Sequence, residues 1–221
     1  MKTTLQNKGA VIFDMDGVII DSEKLWKQAE SEIFGALGVP VSEELSALTQ
    51  SMTTGQATRF WFDRFPWKKY SLTEVEARVI NRVTELIQLE NCCMEGISEF
   101  IRALKLNGYK IGLATNSPFS IIPAVLKVAK LENQFDIICS AEHEQAGKPD
   151  PAIYKRAAAK LGLRPQDCIA IEDSYSGMMA AKTAGMAVVA FTNNQSHTSF
   201  DIADALLHSF NMETLDLFHP N

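Results

Sequence analysis

The chain has 221 residues, of which 46% are hydrophobic and 22% are charged, and its formal net charge is −6. These values are typical of a folded protein with a sizeable core and exclude disordered and fibrous classes. An acidic chain without a basic stripe does not favour nucleic-acid binding. No apolar run reaches membrane-spanning length and the segment Met1–Lys8 is polar, so we expect a cytoplasmic protein that binds neither nucleic acid nor a membrane.

The first predicted element is a buried strand, the apolar run Val11–Phe13, which leads directly into Asp14. The stretch 20–89 carries helical patterns without a convincing strand, and from Gly96 onward helices alternate with short apolar strands. The predicted helices are 25–37, 42–48, 57–65, 73–88, 97–105, 118–130, 151–161, 176–184 and 212–218, and the later strands are 109–114, 135–139, 168–171, 187–191 and 203–207.

This alternation predicts the α/β class, with a doubly wound parallel sheet whose crossovers are right-handed. The first strand belongs to that sheet, so residues 1–19 and 90–221 are expected to form the α/β core. Residues 20–89 then form an all-helical insert that leaves and re-enters the core near the carboxyl end of the first strand. An insert in that place can act as a lid. Its aromatic run, 60–67, is expected to pack in the core of the insert.

Polar residues follow four of the predicted strands, at the sheet edge where open α/β sheets bind ligands. Asp14 and Asp16 follow the first strand, and Thr115 and Asn116 follow the second. Ser117 is a suitable helix N-cap before Pro118, so we expect a helix amino terminus to create a phosphate site there.

The loop Gly147–Pro151 contains Lys148, and the strand 168–171 runs into Glu172 and Asp173. Four carboxyl groups in one crevice repel one another unless a cation intervenes, and Mg²⁺ held by carboxylates, waters and substrate phosphate satisfies this requirement. Lys148 would add a second positive charge beside a carboxylate nucleophile and an incoming phosphate. The residues therefore indicate phosphoryl transfer, with Asp14 attacking phosphorus and Asp16 moving the proton.

In this order and spacing the four motifs resemble those of the haloacid dehalogenase superfamily, and the helical insert resembles its cap domain. The matching segments are 14–18, 115–117, 148 and 172–174. The resemblance implies that Asp14 is the nucleophile and a Mg²⁺ ligand and that Asp16 is the general acid/base, whose backbone carbonyl also meets the metal. It further implies that Asp173 is a direct ligand, that Glu172 is a ligand or a partner of one, and that Thr115, Asn116 and Lys148 bind the phosphoryl group.

Within the superfamily, the chain is similar to the β-phosphoglucomutase-like group, which acts on small sugar phosphates. The mutases have a histidine where this chain has Trp26, and the segment 50–54 lacks the arginine expected for a second phosphate, so hydrolysis is favoured. The segment 21–26 looks most like that of phosphatases acting on hexose and hexitol phosphates, including 2-deoxyglucose 6-phosphate. The loop 49–54, with Thr53, would then face the sugar, and Trp26 would offer an apolar face to its carbons.

Two alternatives stay open at this point: a sugar-phosphate mutase, and a non-catalytic phosphate-binding regulator on the same scaffold. The presence of Asp16 beside Asp14 favours an enzyme, because a binding module needs no proton donor next to a nucleophile. We expect a monomer whose partner is a small phosphorylated sugar.

Overall fold

The computed structural model describes residues 5, 7–50, 52–193 and 200–218, so most of the segment Met1–Lys8 lies outside the described residues. Six parallel strands form one sheet in the order β3-β2-β1-β4-β5-β6, which confirms the predicted doubly wound α/β class. The strands are β1 (Ala10–Phe13), β2 (Lys110–Thr115), β3 (Ile137–Ser140), β4 (Cys168–Glu172), β5 (Ala187–Phe191) and β6 (Ala205–Leu207).

Alternate residues of each strand pack into different layers, since successive side chains of a strand point to opposite faces. Val11 and Phe13 belong to one apolar cluster, whereas Ala10 and Ile12 belong to the other. Helices α5 (Ile97–Leu106) and α6 (Ile122–Val128) contribute to the first cluster, and α7 (Ala152–Lys160) and α8 (Tyr175–Ala184) to the second. Both faces of the sheet are therefore covered, as the unbroken apolar runs predicted.

The strand order reverses between β1 and β4, and this reversal decides where polar side chains meet. Phe13 is in register with Leu113 of β2 on one side and with Ile171 of β4 on the other. The residues that follow these three positions therefore emerge together at the carboxyl edge. Ligands of open α/β sheets bind at such a reversal.

Between β1 and α5 the described residues form four helices, α1 (Glu23–Gly35), α2 (Glu43–Thr49), α3 (Thr54–Arg64) and α4 (Leu72–Leu89). Two of them begin with capping boxes, in which the cap hydroxyl and the third helical side chain satisfy each other's backbone groups. Thr53 and Gln56 form the box at α3, and Ser71 and Glu74 form the one at α4. This local chemistry fixes where both helices start.

An aromatic cluster fills the interior of these four helices. Trp61 is fully buried, with ring centroids 5.8 Å from Phe34, 5.6 Å from Phe60 and 6.4 Å from Phe65. Such tilted and edge contacts are favourable for aromatic pairs. The prediction that the aromatic run 60–67 packs as core is confirmed.

The segments that enter and leave the four helices lie side by side. The backbone N–H of Asp21 donates to the carbonyl of Cys92 (2.7 Å), and that of Met94 donates to the carbonyl of Ile19 (2.9 Å). Ile20 and Cys93 form an antiparallel bridge between these bonds. The chain thus crosses between the sheet and the helices through one short two-stranded ribbon.

The predicted start of one helix differs from the start that the structure shows. In the stretch predicted as helix 118–130, a 3₁₀ turn (Phe119–Ile121) comes first, and the α-helix covers only Ile122–Val128. Ser117 is therefore not the N-cap of a helix that begins at Pro118. None of the described helices is both long and apolar enough to cross a membrane.

Candidate active site

Lys148 is the centre of the polar cluster at the carboxyl edge. Its ammonium group donates to Asp14 Oδ1 (2.7 Å), to Glu172 Oε1 (2.5 Å) and to the carbonyl of Ala114 (2.9 Å). Burial lowers the pKa of Lys148, but the two carboxylates outweigh burial and raise this pKa above its ordinary value. The lysine is only 6% exposed and therefore acts as a fixed positive charge inside the protein.

Lys148 offsets only part of the free-energy cost of ionising Asp14 at this buried position. Burial, followed by repulsion from Glu172, raises the pKa of Asp14 well above its ordinary value, although Lys148 acts in the opposite direction. Burial and the charge of Glu172 also raise the pKa of Asp173 to about 7. The carboxylates at this edge thus carry more negative charge than one lysine balances, which is the situation that a bound cation relieves.

The carboxylate geometry suits a divalent cation. One oxygen from each of Asp14, Glu172 and Asp173 lies within 4.8 Å of the others. A Cβ on Gly17, which has φ +76°, would lie 1.8 Å from Asp173 Oδ2, so only glycine leaves room for that carboxylate. Hard oxygen ligands of this kind are those that Mg²⁺ prefers. The donor set therefore fits the metal that the motifs predicted.

Glu172 differs from the other two carboxylates because it does not line the open cleft. Its side chain is fully buried, and the Oε1 that accepts from Lys148 also accepts from the Tyr154 hydroxyl. A Cβ on Gly177 would lie 2.0 Å from Glu172 Oε2, so α8 closes against the other oxygen. These contacts support the role of Glu172 as the partner that holds Lys148, whereas Asp14 and Asp173 face the cleft.

Asp16 accepts hydrogen bonds from both sides of the cleft. Oδ1 accepts from Ser22 Oγ (2.5 Å) and Trp26 Nε1 (3.0 Å), which lie at the start of α1. Oδ2 accepts from Thr115 Oγ1 (3.4 Å) at the end of β2 and from Ser117 Oγ (2.6 Å) two residues later. Because a hydroxyl can donate or accept, the three hydroxyls can accommodate either protonation state of this carboxyl. The side chain of Asp16 is thus held apart from the Lys148 cluster.

Asn116 fixes the loop that carries Lys148. Its Oδ1 accepts from the backbone N–H of Lys148 (2.8 Å), and its Nδ2 donates to the carbonyl of the same residue (3.4 Å). The structure therefore brings Asn116, Thr115 and Lys148 to the same edge. All three line the cleft.

The helix start expected directly after Ser117 is wrong, whereas phosphate binding by Thr115 and Asn116 stays a prediction. The hydroxyl of Ser117 donates to Asp16, and its carbonyl accepts from Ser140 Oγ (2.7 Å), so Ser117 is held at the sheet edge. The α-helix begins only at Ile122. The preference of Ser117 and Pro118 for a helix start is overridden by these tertiary bonds.

A cleft of about 570 Å³ lies between this edge and the helices α1–α3. Trp26 lines the cleft, as a residue that offers an apolar face to a sugar would. Its indole N–H also donates to Asp16, a contact that the sequence did not predict. Thr53, which was expected to face the sugar, does not line the cleft: its hydroxyl caps α3, and a Cβ on Gly147 would lie 3.0 Å from its methyl group. The contact of Thr53 with the sugar therefore stays a prediction, and none of the contacts described for this residue supports it.

The family model of haloacid dehalogenase-like hydrolases matches residues 8–185 of this sequence. The chain belongs to this family. It is 39% identical over 204 residues to hexitol phosphatase B of Escherichia coli K12, covering 90% of this chain and 91% of that protein. It is 30% identical over 217 residues to β-phosphoglucomutase of Bacillus subtilis, covering 95% and 93%.

A solved structure shows the same fold as this hydrolase. The crystal structure of CbbY from Rhodobacter sphaeroides in complex with phosphate superposes with a TM-score of 0.81 at 27% identity. The match covers 92% of this chain and 95% of the CbbY chain. This hydrolase therefore shares its architecture with CbbY over most of the chain.

Two residues of the hydrolase's site carry signals that sequence reasoning missed. Tyr154 lies on α7, six residues after Lys148, and is the one aromatic residue of the helix sequence AIYKRAAAK. A single aromatic residue in a helix of small and basic residues was a signal that it has a specific partner. Ser22 precedes α1, where a serine is a common cap, but its side chain makes no cap hydrogen bond and donates to Asp16 instead.

Proposed function

We propose that this hydrolase removes phosphate from hexose and hexitol phosphates through an aspartyl-phosphate formed on Asp14, with Mg²⁺ as cofactor. The observation that carries the proposal is the separation of two neighbouring aspartates into different environments. Asp14 is bound to Lys148 among buried carboxylates, whereas Asp16 is surrounded by hydroxyl groups and an indole N–H. Covalent phosphoryl transfer needs this division between a nucleophile and a proton carrier.

The first half-reaction requires an ionised nucleophile and a proton donor. Asp14 attacks phosphorus while the bond from phosphorus to the sugar oxygen breaks, and Asp16 gives its proton to that oxygen. Lys148 lies 2.7 Å from Asp14 and offsets the repulsion between the carboxylate and the phosphate dianion. Mg²⁺, held by Asp14, Asp173 and the backbone of Asp16, would supply further positive charge to the phosphoryl group.

The second half-reaction reverses the role of Asp16. It takes a proton from a water molecule, whose oxygen attacks phosphorus, and the bond between phosphorus and Asp14 breaks. Because Ser22, Ser117 and Thr115 can turn their hydroxyl groups, Asp16 keeps hydrogen-bond partners before and after each proton transfer. Inorganic phosphate leaves and Asp14 is regenerated as a carboxylate.

In this proposal residues 20–89 form a cap over the core made by 1–19 and 90–221. The cap lines the cleft opposite Asp14, so it is placed to contact the sugar and to exclude water. The 39% identity to hexitol phosphatase B supports polyol and sugar phosphates as substrates. The 30% identity to β-phosphoglucomutase supports phosphoryl transfer to a second sugar hydroxyl as the other candidate.

The test is phosphate release from a panel of hexose and hexitol phosphates, with Mg²⁺ or with EDTA. We expect Mg²⁺-dependent release by the wild type and a loss of at least 10³-fold in Asp14→Asn, since the nucleophile is removed. Asp63→Asn, at an exposed position of α3, is the matched control and should retain full activity. Full activity of Asp14→Asn would contradict the mechanism, and isomerisation without free phosphate would favour the mutase.

A further inference from the structure

Helix α1 presents Glu30 to the cleft, one turn beyond Trp26. Trp26 and Glu30 are four residues apart, so they lie on the same face of the helix, and both line the cleft. The start of α1 is bound to Asp16 through Ser22 and Trp26. Glu30 therefore lies roughly 6 Å farther along the helix from the reacting groups than Trp26 does.

Glu30 forms no ion pair with any residue that the structure describes. Burial raises the pKa of its carboxyl to about 7, with a smaller opposing effect of the Trp61 indole. The basic residues that line the described cleft are already engaged, since Lys27 pairs with Glu23 (2.5 Å) and Lys148 with Asp14. The carboxyl thus retains acceptor capacity toward the cleft.

A second group beside Glu30 is also unsatisfied. The indole N–H of Trp61 is completely buried and has no partner with hydrogen-bond geometry, although the ring is close enough to affect the Glu30 carboxyl. A buried donor without a partner costs free energy and calls for an explanation. A small movement of Glu30 toward Trp61 would complete this bond and fix the carboxylate with its remaining lone pairs facing the cleft.

We propose that Glu30, held by Trp61, is the specificity-determining residue that accepts hydrogen bonds from the hydroxyl groups of the substrate. This inference rests on the proposed function and names the chemistry of the substrate. A carboxylate accepts from two neighbouring hydroxyl groups at once, which suits a polyol or sugar chain. A distal carboxylate or second phosphate would instead meet a negative charge without an available cation. The favoured substrate is therefore a monophosphate whose distal end carries uncharged hydroxyl groups.

The kinetic test compares sorbitol 6-phosphate with p-nitrophenyl phosphate, which has no hydroxyl groups. In Glu30→Gln we expect kcat/KM for sorbitol 6-phosphate to fall at least tenfold, mainly through KM, because hydrogen bonds to a charged acceptor are lost. With p-nitrophenyl phosphate the change should stay below threefold. Trp61→Phe keeps an aromatic but smaller side chain, removes the N–H and should shift the same ratio in the same direction.

Glu32→Gln is the matched control on the same helix. Glu32 is paired with Arg82 (2.6 Å) and does not line the cleft, so this variant should behave as the wild type with both substrates. Equal losses with both substrates in Glu30→Gln, or no loss with either, would overturn the inference.

A binding measurement separates this inference from the proposed function. Calorimetry with Asp14→Asn and Mg²⁺ should show tighter binding of sorbitol 6-phosphate than of inorganic phosphate, and Glu30→Gln should abolish that difference. If binding depends on Glu30 but the enzyme with an intact Asp14 shows no turnover, the proposed phosphatase activity is contradicted and the inference about Glu30 is retained. Turnover with no effect of Glu30 would retain the phosphatase and overturn the inference, and the absence of both turnover and binding would overturn both.

Discussion

Replacement of Lys148 by methionine should expose how much negative charge the site holds. Methionine has a similar length but no charge, so the variant leaves Asp14 and Glu172 buried without the cation that both now contact. Removing one partner of a buried ion pair costs about 3–5 kcal/mol, because the remaining charge stays desolvated. For a chain of this size such a loss corresponds to a decrease in Tm of roughly 6–20 °C.

The loss should depend on pH in a defined direction. Burial and Glu172 already raise the pKa of Asp14, and removal of Lys148 raises it further, so folded Asp14 binds a proton at pH values where the unfolded chain has released it. The free energy of unfolding then decreases as pH rises through this range. Lys148→Met should therefore be destabilised less at pH 5 than at pH 8.

The assay is urea unfolding followed by circular dichroism, with EDTA present so that metal binding does not contribute. Lys27→Met is the control, because the exposed pair of Lys27 with Glu23 is worth only about 0–1 kcal/mol. The double variant Lys148→Met/Glu172→Gln removes one of the two carboxylates that are left without a cation. Its free energy of unfolding should be about 1–3 kcal/mol higher than that of Lys148→Met. A double variant no more stable than Lys148→Met would refute the charge-balance reasoning.

Three further variants test other contacts. Trp26→Phe removes the indole N–H from Asp16 (3.0 Å) and should lower kcat about tenfold without changing Mg²⁺ affinity, and an unchanged kcat would contradict this positioning. Above pH 7, where the buried carboxyl of Glu30 is ionised, Glu30→Gln should be about 1–3 kcal/mol more stable than the wild type. Thermal unfolding should show this gain in stability disappear toward pH 4.5, and a difference that does not depend on pH would contradict the reasoning. Gly17→Ala should displace Asp173 and weaken Mg²⁺ binding at least tenfold by calorimetry, since its Cβ would lie 1.8 Å from Asp173 Oδ2.

The sheet was largely predictable because its strands are short and buried on both faces. β5 occupies the predicted stretch Ala187–Phe191, and the other strands shift by only a few residues. Short apolar runs of this kind indicate buried strands, and their alternation with helices indicates that the strands are parallel and joined by helical crossovers. The residues after β1, β2 and β4 then meet because the doubly wound sheet reverses its strand order there.

The parts that failed depend on contacts between distant segments. Ser117 has the local preference of a helix cap, but its bonds to Asp16 and Ser140 connect three strand ends that no short window contains. The contact of Tyr154 with Glu172 joins α7 to the end of β4 in the same way. Spacing alone places Glu30 on the face of Trp26, whereas the packing of the helices decides that this face meets the cleft.

The ribbon that joins the sheet to the four helices also affects how this enzyme can be altered. Since Asp21 is bonded to Cys92 and Met94 to Ile19, the two ends of the helical insert are fixed beside each other whatever lies between them. A foreign helical hairpin whose termini are equally close could be grafted at this junction without stretching β1 or β2. A graft that keeps Ser22 and Trp26 would change only the rest of the cleft lining, so the hydrogen bonds to Asp16 at the sheet edge stay in place.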